Sequence, residues 1–323
     1  MEEVELRLTT EEIHHIVELI SRVPETKDPI MFCKTIKDIT GLLPHRIVCT
    51  LQQFAQLGSK TGFLLIRSIP MDESTLPDTP ANNRYYVGET TVLAKIQALL
   101  MSVISDLVSY EAECNGRLFQ DIVPTKSMAQ LQTSTGSAEL EIHTEQAFSK
   151  LRPDFLSLSC IRGDSEAKTY IMPVQTILHN ITEEEKTLLR MPLWLTGVDV
   201  SFKLQGQAFL EGEVRGPMSI LSDDRANPLL VFDQDLMSGT TDESERLIER
   251  IVNIYYKERY THVFMPGDIV IIDNRRAVHG RSTYRPKYDG KDRFLVRCFG
   301  VLDLERTAYA RPTGSRMIEA KYS

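Results

Sequence analysis

The chain has 323 residues, 42% of them hydrophobic and 25% charged, with 45 acidic against 37 basic side chains and a net charge of −8. This composition is that of a globular protein and excludes disordered, collagen-like and low-complexity classes, while the length admits one large domain or two small ones. The acidic balance argues against nucleic acid or an anionic membrane surface as a partner.

In chain order, the first hundred residues read mainly as helices. Thr9 and Glu12 form a capping box ahead of Ile13, Ile16, Val17 and Ile20 at helical spacing. A second helix is expected over 30–39, and a third after Pro44, ending near Gly58. GFLLIRSI (62–69), closed by Pro70, reads as a buried strand. A polar, Pro-containing loop covers 72–83, and a long helix is expected over 91–110.

Beyond residue 115, short strands recur, at 117–123, 138–143, 155–161, 168–172, 217–221, 229–232, 260–264, 268–272 and 294–302. Helices at about 183–190 and 242–257 interrupt them, and 201–225 shows no period. Many short strands need a sandwich, jelly roll or barrel to manage their edges. With no repeat and no linker, the expectation is one domain over 1–323: an all-β core with a helical shell, the helical part (about 1–110) packed on the sheet.

Five cysteines (Cys33, Cys49, Cys114, Cys160, Cys298) lack CxxC spacing and suggest neither a disulfide framework nor a zinc ribbon. The opening MEEVELRL has no basic start before an apolar stretch, so no secretory signal is expected. The longest apolar segment, 92–108, is broken by Lys95, Gln97 and Asp106. A cytoplasmic protein is the expectation; oligomeric state is not legible.

Among seven histidines, the pair His14–His15 sits on the capped first helix and reads as surface or structure. His143-Thr144-Glu145 differs, because it closes an alternating strand in which residues two apart face the same side. His143 and Glu145 can therefore converge on one ion. A distant His279, just after the apolar run ending at Ile272, can close the set. Two imidazoles and a carboxylate with open positions suit a non-haem Fe(II) oxygenase. Arg293 follows His279 by fourteen positions, and Arg297 stands four further along the same strand start. Two inward guanidinium groups suit a dicarboxylate such as 2-oxoglutarate.

HTEQAFSKLRPDFLSLSCIR (143–162), PGDIVIIDNRRAVHGRSTYRPKYDGKDRFLVR (266–297) and the earlier GFLLIRSIP together resemble the clavaminate synthase-like family of Fe(II)/2-oxoglutarate-dependent oxygenases. The likeness runs from about residue 40 to 310. It implies a distorted double-stranded β-helix, or jelly roll, flanked by helices. It also implies Fe(II), with 2-oxoglutarate and O2 as co-substrates, and hydroxylation of an aliphatic carbon of a free amino acid with release of succinate and CO2.

Matched residue by residue, the resemblance makes His143, Glu145 and His279 the iron ligands. Arg293 and Thr169 hold the distal carboxylate of 2-oxoglutarate, and Arg297 lies near the proximal carboxylates of co-substrate or substrate. Asp233 and Asp235, in FDQD, match an acidic position that holds the amine or guanidine end of the substrate; Asp-x-Asp favours an arginine-like one. Ser134 falls in a stretch that contacts the amino-acid head. Two positions depart from the pattern. Gln146 stands where many amino-acid hydroxylases carry Asp, and Glu113 where arginine hydroxylases tend to carry Gln; both bear on substrate rather than metal. Desaturation or oxidative cyclisation at the same site, a zinc hydrolase and a non-catalytic binding module stay open as alternatives.

Overall fold

The computed structural model describes residues 5–72, 74–199 and 213–323. Residues 201–212 of the aperiodic segment lie outside them. Seven α-helices are described: α1 (Thr10–Ile20), α2 (Pro29–Ile39), α3 (His45–Leu57), α4 (Val92–Ile104), α5 (Val174–His179), α6 (Glu183–Leu189) and α7 (Asp242–Glu258). The strands begin with β1 (Glu5–Arg7), β2 (Phe63–Arg67), β3 (Asp106–Tyr110), β4 (Gln120–Ile122), β5 (Leu140–His143), β6 (Phe155–Arg162) and β7 (Thr169–Pro173). They continue with β8 (Trp194–Gly197), β9 (Val214–Met218), β10 (Met237–Gly239), β11 (Tyr260–His262), β12 (Ile269–Asp273), β13 (Ala277–Arg281), β14 (Phe294–Val301) and β15 (Met317–Ile318).

The largest sheet runs β1-β2-β12-β6-β14-β3-β15, with β4 on β14; a second runs β11-β7-β13-β5 and a third β10-β8-β9. The architecture is mixed α/β. In its central strands β6, β12 and β14, nearly every residue is buried. Strands covered on both faces read as unbroken apolar runs, which is why IVIID and FLVRCFGV do not alternate.

Helices α1–α4 and the large sheet share one apolar core, in which Ile16, Phe32, Ile47 and Leu99 join Leu64, Ile271 and Val296. Each such side chain contributes about 1.5–3 kcal/mol on burial. Helix α4 is buried on almost every side, and its Gln97 needs polar partners there. Gln97 Nε2 donates to Ser157 Oγ and to the Val296 carbonyl, both at 3.1 Å, and Ser159 Oγ donates to Gln97 Oε1 at 2.9 Å. The capping box at α1 is present: Glu12 N donates to Thr9 Oγ1 at 3.2 Å and Thr9 N to Glu12 Oε2 at 2.8 Å.

Several expectations need correction. The helix expected over 91–110 ends at Ile104, because Ser105 is extended (φ −153°, ψ 170°). Residues 106–110 form β3 instead, between β14 and β15; sheet pairing overrides the helical periodicity that continued through Leu107 and Val108. The strand expected at 217–221 lies earlier, as β9, and 229–232 forms no named strand, only a bridge between Leu221 and Leu230. The buried strand expected over 62–69 is present as β2, but β1, which pairs with it in parallel, was not foreseen. The apolar strand expected before His279 is present as β12, but His279 itself sits inside the next strand, β13, which was not foreseen because Arg275 and Arg276 obscured its start.

Candidate metal centre and its cavity

The second sheet brings the two histidines together. Strand β13 runs antiparallel to β5, with His279 directly opposite His143, and the two ring centroids are 4.5 Å apart. A bulge follows between His279 and Arg281. Gly280 permits it: a Cβ there would lie 2.6 Å from the Leu140 carbonyl oxygen.

Glu145 arrives differently from the expected strand alternation. Strand β5 stops at His143, and the chain turns, with Gln146 in the left-handed region at φ 54°. Asn274 fixes that turn. Its Oδ1 accepts from the Glu145 amide at 2.8 Å, and its Nδ2 donates to the carbonyls of Glu145 at 3.2 Å and Pro153 at 2.8 Å. One donor atom from each of His143, Glu145 and His279 lies within 4.8 Å of the others, with His279 Nε2 3.7 Å from Glu145 Oε2. One divalent ion would be held by these three groups after side-chain adjustment.

The chemistry of the three groups fits a divalent ion. His143 Nδ1 lies 2.8 Å from the Glu141 carbonyl. A carbonyl only accepts, so the proton belongs on Nδ1 and the Nε2 lone pair is free to ligate. Burial holds His279 down at about 4, reinforced by the His143 charge and opposed by Glu145, so the imidazole is neutral near pH 7. Its Nδ1 is buried without a hydrogen-bond partner. Burial alone would raise Glu145, but Arg297 and the histidines hold it low and ionised.

A cavity of about 560 Å³ opens above these groups. Arg293 lines it from the residue before β14 and is 4% exposed. Burial lowers its pKa, its Nε has no partner, and among the described residues no carboxylate forms an ion pair with it. A buried guanidinium without a counter-ion is costly and fits an anionic ligand. Thr169, at the start of β7, lines the same cavity and is buried.

Arg297 is committed to protein groups. Its Nη1 donates to Glu145 Oε2 at 3.0 Å, its Nε to Gln120 Oε1 at 2.9 Å, and its Nη2 to both Gln120 Oε1 and Glu113 Oε2. Glu113, raised by burial against the pull of Arg297, also accepts from Gln146 Nε2 at 2.9 Å. The two departures from the family pattern are therefore hydrogen-bonded to each other.

Ser134 lines the cavity and is half-buried. Asp233 is buried and bridges to His143 across the strand end. Its Oδ1 accepts the amides of Asp235 at 3.0 Å and Leu236 at 2.9 Å, and burial raises it to about 6, against the charge of His143. Asp235 is exposed on the turn, and neither it nor Asp233 is among the cavity-lining residues; Asp233 lies behind His143, which is one of them. Sequence reasoning missed Asn274 and Gln120, and also Arg281, which lines the cavity. Strand parity from His279 would have found Arg281 had β13 been recognised; nothing local marks the others, which act across the fold.

Two histidines and an ionised Glu, beside a buried arginine that has no ion-paired carboxylate among the described residues, define the class: an oxygenase that uses Fe(II) and takes 2-oxoglutarate and O2 as co-substrates. The chain belongs to the family described as taurine catabolism dioxygenase TauD, TfdA family, which it matches over residues 50–299. It is 46% identical to L-lysine 3-hydroxylase of Catenulispora acidiphila, over 90% of this chain and 82% of that one. It is 31% identical to L-asparagine oxygenase of Streptomyces coelicolor, over 80% and 77%, and 29% identical to clavaminate synthase 2 of Streptomyces clavuligerus, over 88% of each. Among solved structures, asparagine oxygenase in complex with Fe(II), 2S,3S-3-hydroxyasparagine and succinate superposes with a TM-score of 0.91 at 27% identity, covering 98% of this chain and 99% of that one. Among the described residues no helix is long and apolar enough to cross a membrane.

Proposed function

We propose that this oxygenase hydroxylates an unactivated aliphatic carbon of a free, basic L-amino acid, with lysine favoured over arginine. The observation that carries the reading is the set of three ligand atoms within 4.8 Å on the floor of the cavity that Arg293 also lines. In this account His143, Glu145 and His279 hold ferrous iron. When bound, the iron with 2-oxoglutarate and O2 supplies the oxidising chemistry, with succinate and CO2 released. Arg293 and Thr169 grip the distal carboxylate of the co-substrate. Arg297 orients Glu145 and keeps one N–H of Nη1 for a ligand carboxylate. Glu113 and Ser134 face the amino-acid head, and the walls exclude water around the reacting carbon.

The preference for lysine departs from the arginine-like expectation. A guanidinium asks for two parallel acceptors, whereas Asp233 has one oxygen engaged by two backbone amides and Asp235 points to solvent. One carboxylate oxygen suits a compact ammonium. The identity to an L-lysine 3-hydroxylase supports the same choice. We further read the two larger sheets as the halves of a jelly roll, and 1–323 as one domain, because α1–α4 share their core with the sheet. Five unpaired cysteines fit a reducing cytoplasm.

Screening the twenty amino acids for substrate-stimulated succinate release tests this directly. Lysine is expected to stimulate most and to gain one oxygen in mass. Loss of two hydrogens would indicate desaturation or ring closure, and stimulation by no amino acid would refute the proposal.

A further inference from the structure

Arg281 has no role in the function above, yet its surroundings are unusual. It is 4% exposed, two residues beyond His279 on β13, and lines the cavity. Across the strand pair it lies directly opposite Thr169. Its guanidinium stacks on Tyr284 at 5.2 Å, and the Arg293 guanidinium lies 6.0 Å from the same ring. Among the described residues neither arginine has a carboxylate partner, and Nε of each is buried without an acceptor. Two buried cations thus face one cavity with no ion-paired carboxylate among the described residues, a cost that a dicarboxylate ligand relieves.

The other end of Arg281 holds the loop that carries Ser134. Nη2 donates to the Ala138 carbonyl at 2.8 Å, and Nη1 reaches those of Ser134 at 3.3 Å and Thr133 at 3.5 Å. The following residues secure the same loop independently. Thr283 Oγ1 and Tyr284 N donate to the Ser137 carbonyl at 3.0 and 3.1 Å. Thr133, Ser134 and Thr135 all line the cavity.

We propose that Arg281 is a positioning residue: it ties the 133–138 loop to the co-substrate's carboxylate subsite, so that 2-oxoglutarate and the amino acid bind cooperatively. The proposal rests on the function given above. The fork is on the loop carbonyls without a ligand; a bound dicarboxylate adds a counter-ion that offsets the like charge of Arg293 and strengthens that hold. The loop is then held more firmly for the amino-acid head once the co-substrate has entered. Two sites coupled through a shared element influence each other equally in both directions.

The test is amino-acid affinity for anaerobic Fe(II) enzyme, with lysine as probe, in the presence and absence of 2-oxoglutarate. In the unaltered protein the co-substrate is expected to tighten lysine at least about fivefold, the lower end of usual couplings. Arg281→Lys keeps the charge but loses the planar fork; it should reduce that factor below about twofold, while the iron–keto acid absorption band still forms. A readout that needs no variant is amide hydrogen exchange: 2-oxoglutarate should slow it in 133–138. Undiminished coupling in Arg281→Lys, or exchange in the loop unmoved by 2-oxoglutarate, would overturn the tie alone. Failure of the absorption band in the unaltered enzyme would instead overturn the metal reading beneath it.

Discussion

Replacing Arg293 by Met separates what a residue does for the fold from what it does for the ligand. In the ligand-free protein the guanidinium is 4% exposed and lacks a carboxylate partner among the described residues. A methionine of similar length removes a buried, uncompensated charge, so the ligand-free protein should keep its stability or gain about 1–4 kcal/mol. Co-substrate binding should move the other way. Removing one side of a buried charge pair costs about 2–5 kcal/mol, which at about 1.4 kcal/mol per tenfold is roughly 30-fold to a few thousand-fold in affinity for 2-oxoglutarate. Titration of the anaerobic Fe(II) enzyme with 2-oxoglutarate, followed by its absorption band, measures that loss. A keto acid lacking the distal carboxylate, 2-oxobutyrate, supplies the control, because its affinity should be nearly equal in both proteins. If Arg293→Met loses less than about fivefold for 2-oxoglutarate, or loses equally for both keto acids, Arg293 does not hold the distal carboxylate.

Four further outcomes follow from the same geometry. Glu145→Ala should abolish stoichiometric iron binding, read by metal analysis, while far-ultraviolet circular dichroism stays unchanged. Asn274→Ala releases the turn that aims Glu145, and should weaken iron affinity by about 10–100-fold, as loss of a ligand's supporting hydrogen bonds typically does. Gln97→Leu leaves Ser157 and Ser159 without their shared partner; chemical denaturation should show a loss of about 1–3 kcal/mol for each group left unpaired, with iron binding retained. Asp233→Asn should raise the KM for lysine with little change in the affinity for 2-oxoglutarate, whereas an equal effect on both would assign Asp233 to the metal surroundings instead.

The parts of the site that were legible in the sequence are those whose chemistry is local. The spacing of His143 and Glu145 near a strand end suggested a shared ion, and the resemblance carried by segments 143–162 and 266–297 singled out His279 and Arg293. The route by which Glu145 reaches the two histidines was not legible. A turn with Gln146 at positive φ, braced by Asn274 from the far side of the sheet, leaves no period to detect. Strand β3 was hidden for a related reason: Leu107 and Val108 continue the helical stripe of α4, and only the neighbouring β14 decides their state. The Arg297 cluster with Glu113, Gln120 and Gln146 joins residues far apart in the chain, and only the folded chain makes it one network. Asp235 was read from its spacing to Asp233, but the turn that Asp233 caps directs it outward.

Anaerobic addition of Fe(II) and then 2-oxoglutarate to the purified protein addresses the metal centre most directly. One equivalent of iron should bind, the visible band of the chelated keto acid should appear, and both should vanish in His279→Ala. Stoichiometric iron with no such band, or a band that survives loss of His279, would contradict the assignment.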